Sequence, residues 1–185
     1  MLTCELGLAG VRPVVLDPIP GPSPKPRVNR IVGQAARILE HRGLYSALTG
    51  STDPPKPLAS YIFSGFPLDL TQVSESQLFV VPVQQQGLVQ LLAERAVEYG
   101  TEIRWGHALT GFDQHDDGVT LHVEGPDGAY DLTAKYLVGA DGGTSKVRHP
   151  AGIDFPGMSS YDLVVRIGFN ALPPHDVVAQ IGAAP

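Results

Sequence analysis

The 185-residue chain is 43% hydrophobic and 17% charged, which marks a globular protein of ordinary domain size and excludes a disordered one. Thirteen basic against nineteen acidic residues leave a net charge of -6, which argues against a nucleic-acid-binding surface. A single cysteine, Cys4, rules out an internal disulfide, and no apolar run approaches the roughly 18 residues of a membrane-spanning helix. Met1 to Gly10 lacks a basic leader and a cleavage site, so the expected location is the cytoplasm.

Met1 to Gly10 reads as a helix closed by a glycine, with Cys4 as a core thiol rather than a nucleophile. Val11 to Asp17 reads as a strand ending in a carboxylate. At that place Asp17 either caps the turn at Pro18 or meets the two hydroxyls of a ribose, since a carboxylate accepts two donors at once. Pro18 to Pro26 holds five prolines in nine residues and is a loop or linker. A helix is predicted over Val32 to Gly43, with Ala35, Ile38 and Leu39 as its apolar positions. Arg37 and Arg42 are expected on its solvated side.

Between Ser51 and Gln77 the prolines 54, 55 and 57 mark loop, and Leu58 to Phe66 reads as one strand. Its aromatics Tyr61, Phe63 and Phe66 are either core residues or the lining of an aromatic pocket. Leu78 to Val83 is a further strand that gives way to a helix with Leu88, Leu91 and Leu92 on one face, closed by Gly100. Thr101 to Trp105 is the next strand. Gly111 to Glu124 and Gly128 to Ala134 alternate apolar and polar residues around the turn signals Asp116-Asp117-Gly118 and Pro126-Asp127-Gly128, which predicts a β-meander burying Val119, Leu121 and Val123. No pair of the six histidines has metal-ligand spacing, so no metal site is expected.

The most informative stretch is Tyr136 to Arg148, YLVGADGGTSKVR. Tyr136 to Ala140 is a short unbroken apolar run of the kind found in strands buried on both faces. Asp141 follows at its carboxyl end, Gly142 and Gly143 let the main chain pass close to a ligand, and Thr144 or Ser145 is placed to cap a following helix. Ligands of open α/β sheets bind at such strand ends. A last strand is predicted from Tyr161 to Phe169.

This stretch resembles the fingerprint of the FAD-dependent aromatic hydroxylases, the para-hydroxybenzoate hydroxylase-like monooxygenases, in their aromatic polyketide hydroxylase branch. Asp141, Gly142 and Arg148 match it residue by residue, and Gly33-Gln34 is typical of that branch. The resemblance implies an α/β fold, a partial glutathione-reductase-like, Rossmann-type FAD-binding domain with a β-meander, joined to the start of a substrate-domain sheet. It divides the chain into FAD-binding segments 1–50 and 78–157 and substrate-domain segments 51–77 and 158–185. It assigns Asp17 to the adenosine ribose, Arg27, Gln85, Gly142 and Arg148 to cofactor binding, and Asp141 to contacting FAD and positioning NAD(P)H.

The implied reaction is hydroxylation of a small aromatic substrate with NAD(P)H and O2 through a flavin hydroperoxide, with the flavin carrying the difficult chemistry. The same FAD fold also serves halogenases and reductases. Family members carry a first strand and a G-x-G-x-x-G loop ahead of the helix that begins here at Met1, and a Gly-Asp motif beyond Pro185. The chain is accordingly expected to be truncated at both ends. By itself it is expected to be poorly soluble and to bind FAD weakly or not at all, and the alternative to a monooxygenase is a catalytically inactive fragment of one. No membrane or nucleic-acid partner is implied, and the sequence does not address oligomeric state.

Overall fold

A computed structural model describes residues 1–24, 29–63 and 65–157. The chain divides into two compact units, 1–151 and 152–185, and the predicted strand at Tyr161 to Phe169 lies outside the described residues. In the second unit, residues 152–157 form neither helix nor strand and are exposed.

The first unit is built from short helices and four small sheets. Helix α1 (Leu2–Leu8) leads into strand β1 (Val14–Asp17), and helix α4 (Gln85–Glu98) leads into β6 (Glu102–Trp105). The two strands pair in parallel, Val14 opposite Glu102 through Asp17 opposite Trp105, and the Glu102 N–H donates to the Pro13 carbonyl to extend the ladder. This is the α/β part of the fold. The helices that feed it touch directly. Gly7 of α1 lies so close to α4 that a Cβ there would stand 2.5 Å from the Tyr99 Cβ, and buried Cys4 donates its thiol to the Leu92 carbonyl at 3.5 Å.

Helix α2 (Ala35–His41) ends, like α1 and α4, where a glycine enters the left-handed region: Gly10 at φ 81°, Gly43 at 67° and Gly100 at 86°. In each case the glycine N–H and the next N–H fold back onto the last turn, for example Gly100 to Val97 and Thr101 to Ala96, both at 2.9 Å. That satisfies carbonyls a helix end would otherwise leave open. Arg42, just past α2, forks onto the Glu5 carboxylate at 2.8 and 2.6 Å and ties α2 to α1.

Strand β2 (Arg30–Val32) pairs antiparallel with β5 (Val80–Pro82), and short α3 (Tyr45–Thr49) follows α2. Ala36, Phe79, Val81 and Val83 form a buried cluster with Ile31, Tyr45 and Leu48 against it. The predicted helix from Val32 is therefore corrected. Val32 is spent on pairing with Val80, the helix starts at Ala35, and Ala36 and Leu39 face inward while Ala35 and Ile38 are exposed. The single strand expected over Leu58 to Phe66 is a hairpin of β3 (Ser60–Phe63) and β4 (Phe66–Asp69), turned at Gly65 with φ 86°. Phe66 is 70% exposed, so it is not core.

Strands β7 (Ala108–His115), β8 (Gly118–Gly125) and β9 (Gly128–Ala134) form the predicted meander. Period-two alternation buries Val119, Leu121 and Val123 on one face. Burial of such side chains is worth about 1.5–3 kcal/mol each. Leu16 of β1, Phe112, Tyr130, Leu132 and Leu137 pack against them.

Two expectations for the glycine-rich stretch are corrected. Tyr136 to Ala140 is irregular, with Tyr136 87% and Val138 62% exposed. A strand exists only through a partner for its N–H and C=O groups, and among the described residues no strand runs beside this one. The helix expected after Thr144 is a series of turns through Gly152.

The α1–α4 contact makes Gly7→Ala informative. The added methyl has no room beside Tyr99, so the variant should lose about 1–3 kcal/mol in chemical denaturation. Gly87→Ala, where a Cβ would meet nothing within 4 Å, is the control that should lose none.

Candidate functional site

Asp17 closes β1, and its Oδ1 accepts the Ile19 N–H at 3.1 Å. The turn-capping reading of this residue is thus realised, and a carboxylate retains further lone pairs for a ligand. Behind it the β1–β6 pairing continues beyond both strands: the His107 N–H donates to the Asp17 carbonyl at 3.0 Å and the Gly106 N–H to the Ile19 carbonyl at 2.8 Å. The Asp17 main chain is therefore held from the β6 side past the end of the strand.

The second element is the turn from Asp141 to Arg148, which is organised by its own side chains. The Ser145 hydroxyl donates to Asp141 Oδ1, while Asp141 Oδ2 accepts the N–H groups of Lys146 at 2.6 Å and Val147 at 3.3 Å. Ser145 Oγ in turn accepts from Val147 at 3.2 Å and Arg148 at 3.0 Å. Of the two candidates for the capping role, Ser145 fills it. The Arg148 guanidinium donates to the carbonyls of Gly142 at 3.3 Å and Gly143 at 2.7 Å, closing the turn from the other side. The Ser145 hydroxyl, ahead of the N–H groups of Lys146 and Val147, holds the Asp141 carboxyl below its ordinary range despite an opposing effect of burial.

The three sequence-predicted residues Asp141, Gly142 and Arg148 are thus brought together. Asp17 and this turn also share a foundation, because Leu16 and Leu137 rest on the same buried face of the meander. Gln85 is the first residue of α4, half-buried, and two residues separate it from the end of β5. Arg27 lies outside the described residues. Gln34 donates to the Gln77 side chain at 2.6 Å, a link across 43 residues with no local sequence signal.

Also missed from sequence is a polar network behind the site. Arg104 forks onto Glu102 at 2.8 and 3.3 Å and donates to the Tyr130 hydroxyl at 3.0 Å, which lies 2.9 Å from His107 Nδ1. Glu102, then Tyr130, keeps the Arg104 guanidinium firmly charged. The i, i+2 spacing of Glu102 and Arg104 on one strand face was its only legible sign.

The turn fits a cofactor that needs close main-chain approach. Gly142 has φ 81°, and a Cβ at Gly142 or Gly143 would meet nothing within 4 Å, so the backbone there borders open space. Among the described residues no group of three or more His, Cys, Asp or Glu could hold a metal ion, and no helix is long and apolar enough to cross a membrane.

A family described as FAD binding domain matches residues 1–184 of the chain. The chain belongs to this FAD-binding family. Among its relatives, the 12-dehydrotetracycline 5-monooxygenase/anhydrotetracycline 6-monooxygenase of Streptomyces rimosus is 38% identical over 165 residues, covering 89% of this chain and 33% of that protein. The solved structure of the anhydrotetracycline hydroxylase OxyS from Streptomyces rimosus matches with a TM-score of 0.75 at 39% identity, over 85% of this chain and 32% of that one. Aklavinone-11 hydroxylase, solved as a ternary complex with FAD and aklavinone, matches with a TM-score of 0.64 at 32% identity, over 81% of this chain and 32% of that one. These structural neighbours are α/β flavoenzymes, and the described fold agrees with theirs. The chain spans about a third of the length of the curated relatives it matches.

Within the glycine turn Ser145 is the keystone. Ser145→Ala should cost about 1 kcal/mol of local stability, as loss of a capping hydroxyl does. It should raise amide exchange at Lys146 to Arg148 while leaving the meander unchanged. Because the folded-state pKa of Asp141 is depressed, its contribution to the turn is complete above the ordinary carboxylate pKa and is lost as pH falls through the lowered value. Exchange of the same amides in the unmodified chain should therefore accelerate, beyond the intrinsic rate, only in that acidic window.

Proposed function

We propose that this chain forms part of the FAD-binding framework of an aromatic monooxygenase that hydroxylates a small aromatic substrate with NAD(P)H and O2. The observation that carries the reading is the closed turn Asp141–Arg148, with its open glycine backbone, in a chain matched to the FAD-binding family over residues 1–184. The monooxygenase names of its relatives support the reaction type. When bound, FAD would supply hydride acceptance from NAD(P)H and the oxygen chemistry.

The side chains then have separate duties. Asp17, on its clamped strand end, accepts the two hydroxyls of the adenosine ribose. Gln85 opens α4, and its amide both donates and accepts without a change of charge, which suits ribityl or phosphate oxygens. Arg27, outside the described residues, is assigned to FAD by the family resemblance alone. Asp141 spends three acceptor positions on its own turn, so it acts chiefly by presenting the Gly142–Gly143 backbone, and Arg148 holds that presentation fixed. Segments 1–50 and 78–157 would build the FAD side, and 51–77 and 158–185 the substrate side. The β3–β4 hairpin supports this division, since it leaves Ile62 71% and Phe66 70% exposed, as an element meant to meet other structure would.

The test is flavin titration of the chain, followed by fluorescence quenching, with FAD and FMN compared. FAD should bind weakly and FMN more weakly still. Asp17→Ala should reduce FAD affinity about ten- to a hundredfold, as loss of hydrogen bonds to a charged group does. FMN has no adenosine, and its binding should not respond to the substitution. Equal responses of FAD and FMN to the substitution would overturn the reading.

A further inference from the structure

His122 sits on the outer face of the meander, away from the candidate cofactor site, in a position its neutral form cannot satisfy. It lies on the central strand β8, its Nδ1 2.8 Å from Asp131 Oδ1 on β9 and its Nε2 2.8 Å from Asp113 Oδ2 on β7. A neutral imidazole has one N–H and one bare nitrogen, and an ionised carboxylate only accepts. The neutral ring can therefore donate to one aspartate while setting a lone pair against the other. The imidazolium donates to both.

Strand register builds the arrangement. His122 stands opposite Asp131 on one side and Gly111 on the other, with Asp113 one diagonal step along β7. Gly111 leaves the ring room to lie across its strand: a Cβ there would already touch the imidazole at 3.6 Å. The other titratable groups on this face are exposed His115 of β7, 3.3 Å from Thr120 Oγ1, and exposed Glu124 of β8. We propose that Asp113, His122 and Asp131 form a proton-operated clasp, which ties the two outer strands of the meander together across the central one when His122 is charged and lets one go when it is neutral.

Asp131 and then Asp113 raise His122 above the ordinary imidazole pKa, in keeping with the geometry. With the folded-state pKa raised, the clasp is complete below the ordinary value and is lost as pH rises through the raised one. Because the opposite face of the same meander carries Leu16 and Leu137, the clasp stiffens the layer behind Asp17 and the glycine turn.

Hydrogen exchange of the full 185-residue chain, measured by mass spectrometry at low concentration across a pH series and corrected for intrinsic rate, reads this directly. Protection of peptides from β7 and β9 should fall about two- to fivefold as pH rises through the His122 titration, the range exposed ion pairs support. His122→Asn and Asp113→Asn should each abolish the step. Should H122N fail to fold, the imidazole resonance of His122 in the unmodified chain should titrate above the ordinary value and move down toward it in D113N. A protection step that persists in H122N, or an imidazole that titrates at or below the ordinary value, would overturn the clasp.

Discussion

The buried face of the meander, Val119, Leu121 and Val123, is the surface to which both strand-end segments of the candidate site are fastened, through Leu16 on one side and Leu137 on the other. Neither segment has a comparable hold of its own. β1 is four residues long with a single strand beside it, and residues 136–140 have no strand beside them among those described. The meander is the more extensively paired support, since its three strands pair along their lengths apart from one register shift between Leu109 and Gly111. Arg104 and Tyr130 add a polar tie between β6 and the same layer. The placement of Asp17 and of the Asp141 turn thus depends on an antiparallel sheet that carries none of the residues proposed to hold the cofactor.

The turn from Asp141 to Arg148 shows how a binding fingerprint and a folding device can be the same residues. Its carboxylate, hydroxyl and guanidinium are engaged with one another or with the turn's main chain. This shapes a glycine backbone that faces open space. Such an arrangement tolerates little substitution even before a cofactor is considered. A change at Arg148 or Ser145 would act first on shape and only through shape on binding.

What could be read in the sequence divides along the line between local and non-local causes. The meander was legible because period-two alternation and Asp-Gly turns are local, and the helix ends at Gly10, Gly43 and Gly100 because a left-handed cap is local too. The early helix start at Val32 failed because Val32 is claimed by Val80, nearly fifty positions away in the chain. The hairpin at Gly65 was missed because a lone glycine in an apolar run reads equally well as a bulge. Tyr136 to Ala140 has strand composition without strand structure, since composition does not supply the neighbour a ladder requires. At the site, Asp17 and the Asp141 turn were legible from residue type and position, while the engagement of Asp141 with its own turn became visible only with the fold.

The two main-chain bonds from Gly106 and His107 to the residues on either side of Pro18 have a consequence for how this scaffold can diversify. They fix the chain at Asp17 and at Ile19, one residue into the proline-rich stretch, so strain introduced further along is taken up beyond Ile19 and not passed back to the carboxylate. A change in length or sequence beyond Pro20 would therefore leave Asp17 where it is. The clamp mechanically separates the strand end from the chain that follows it.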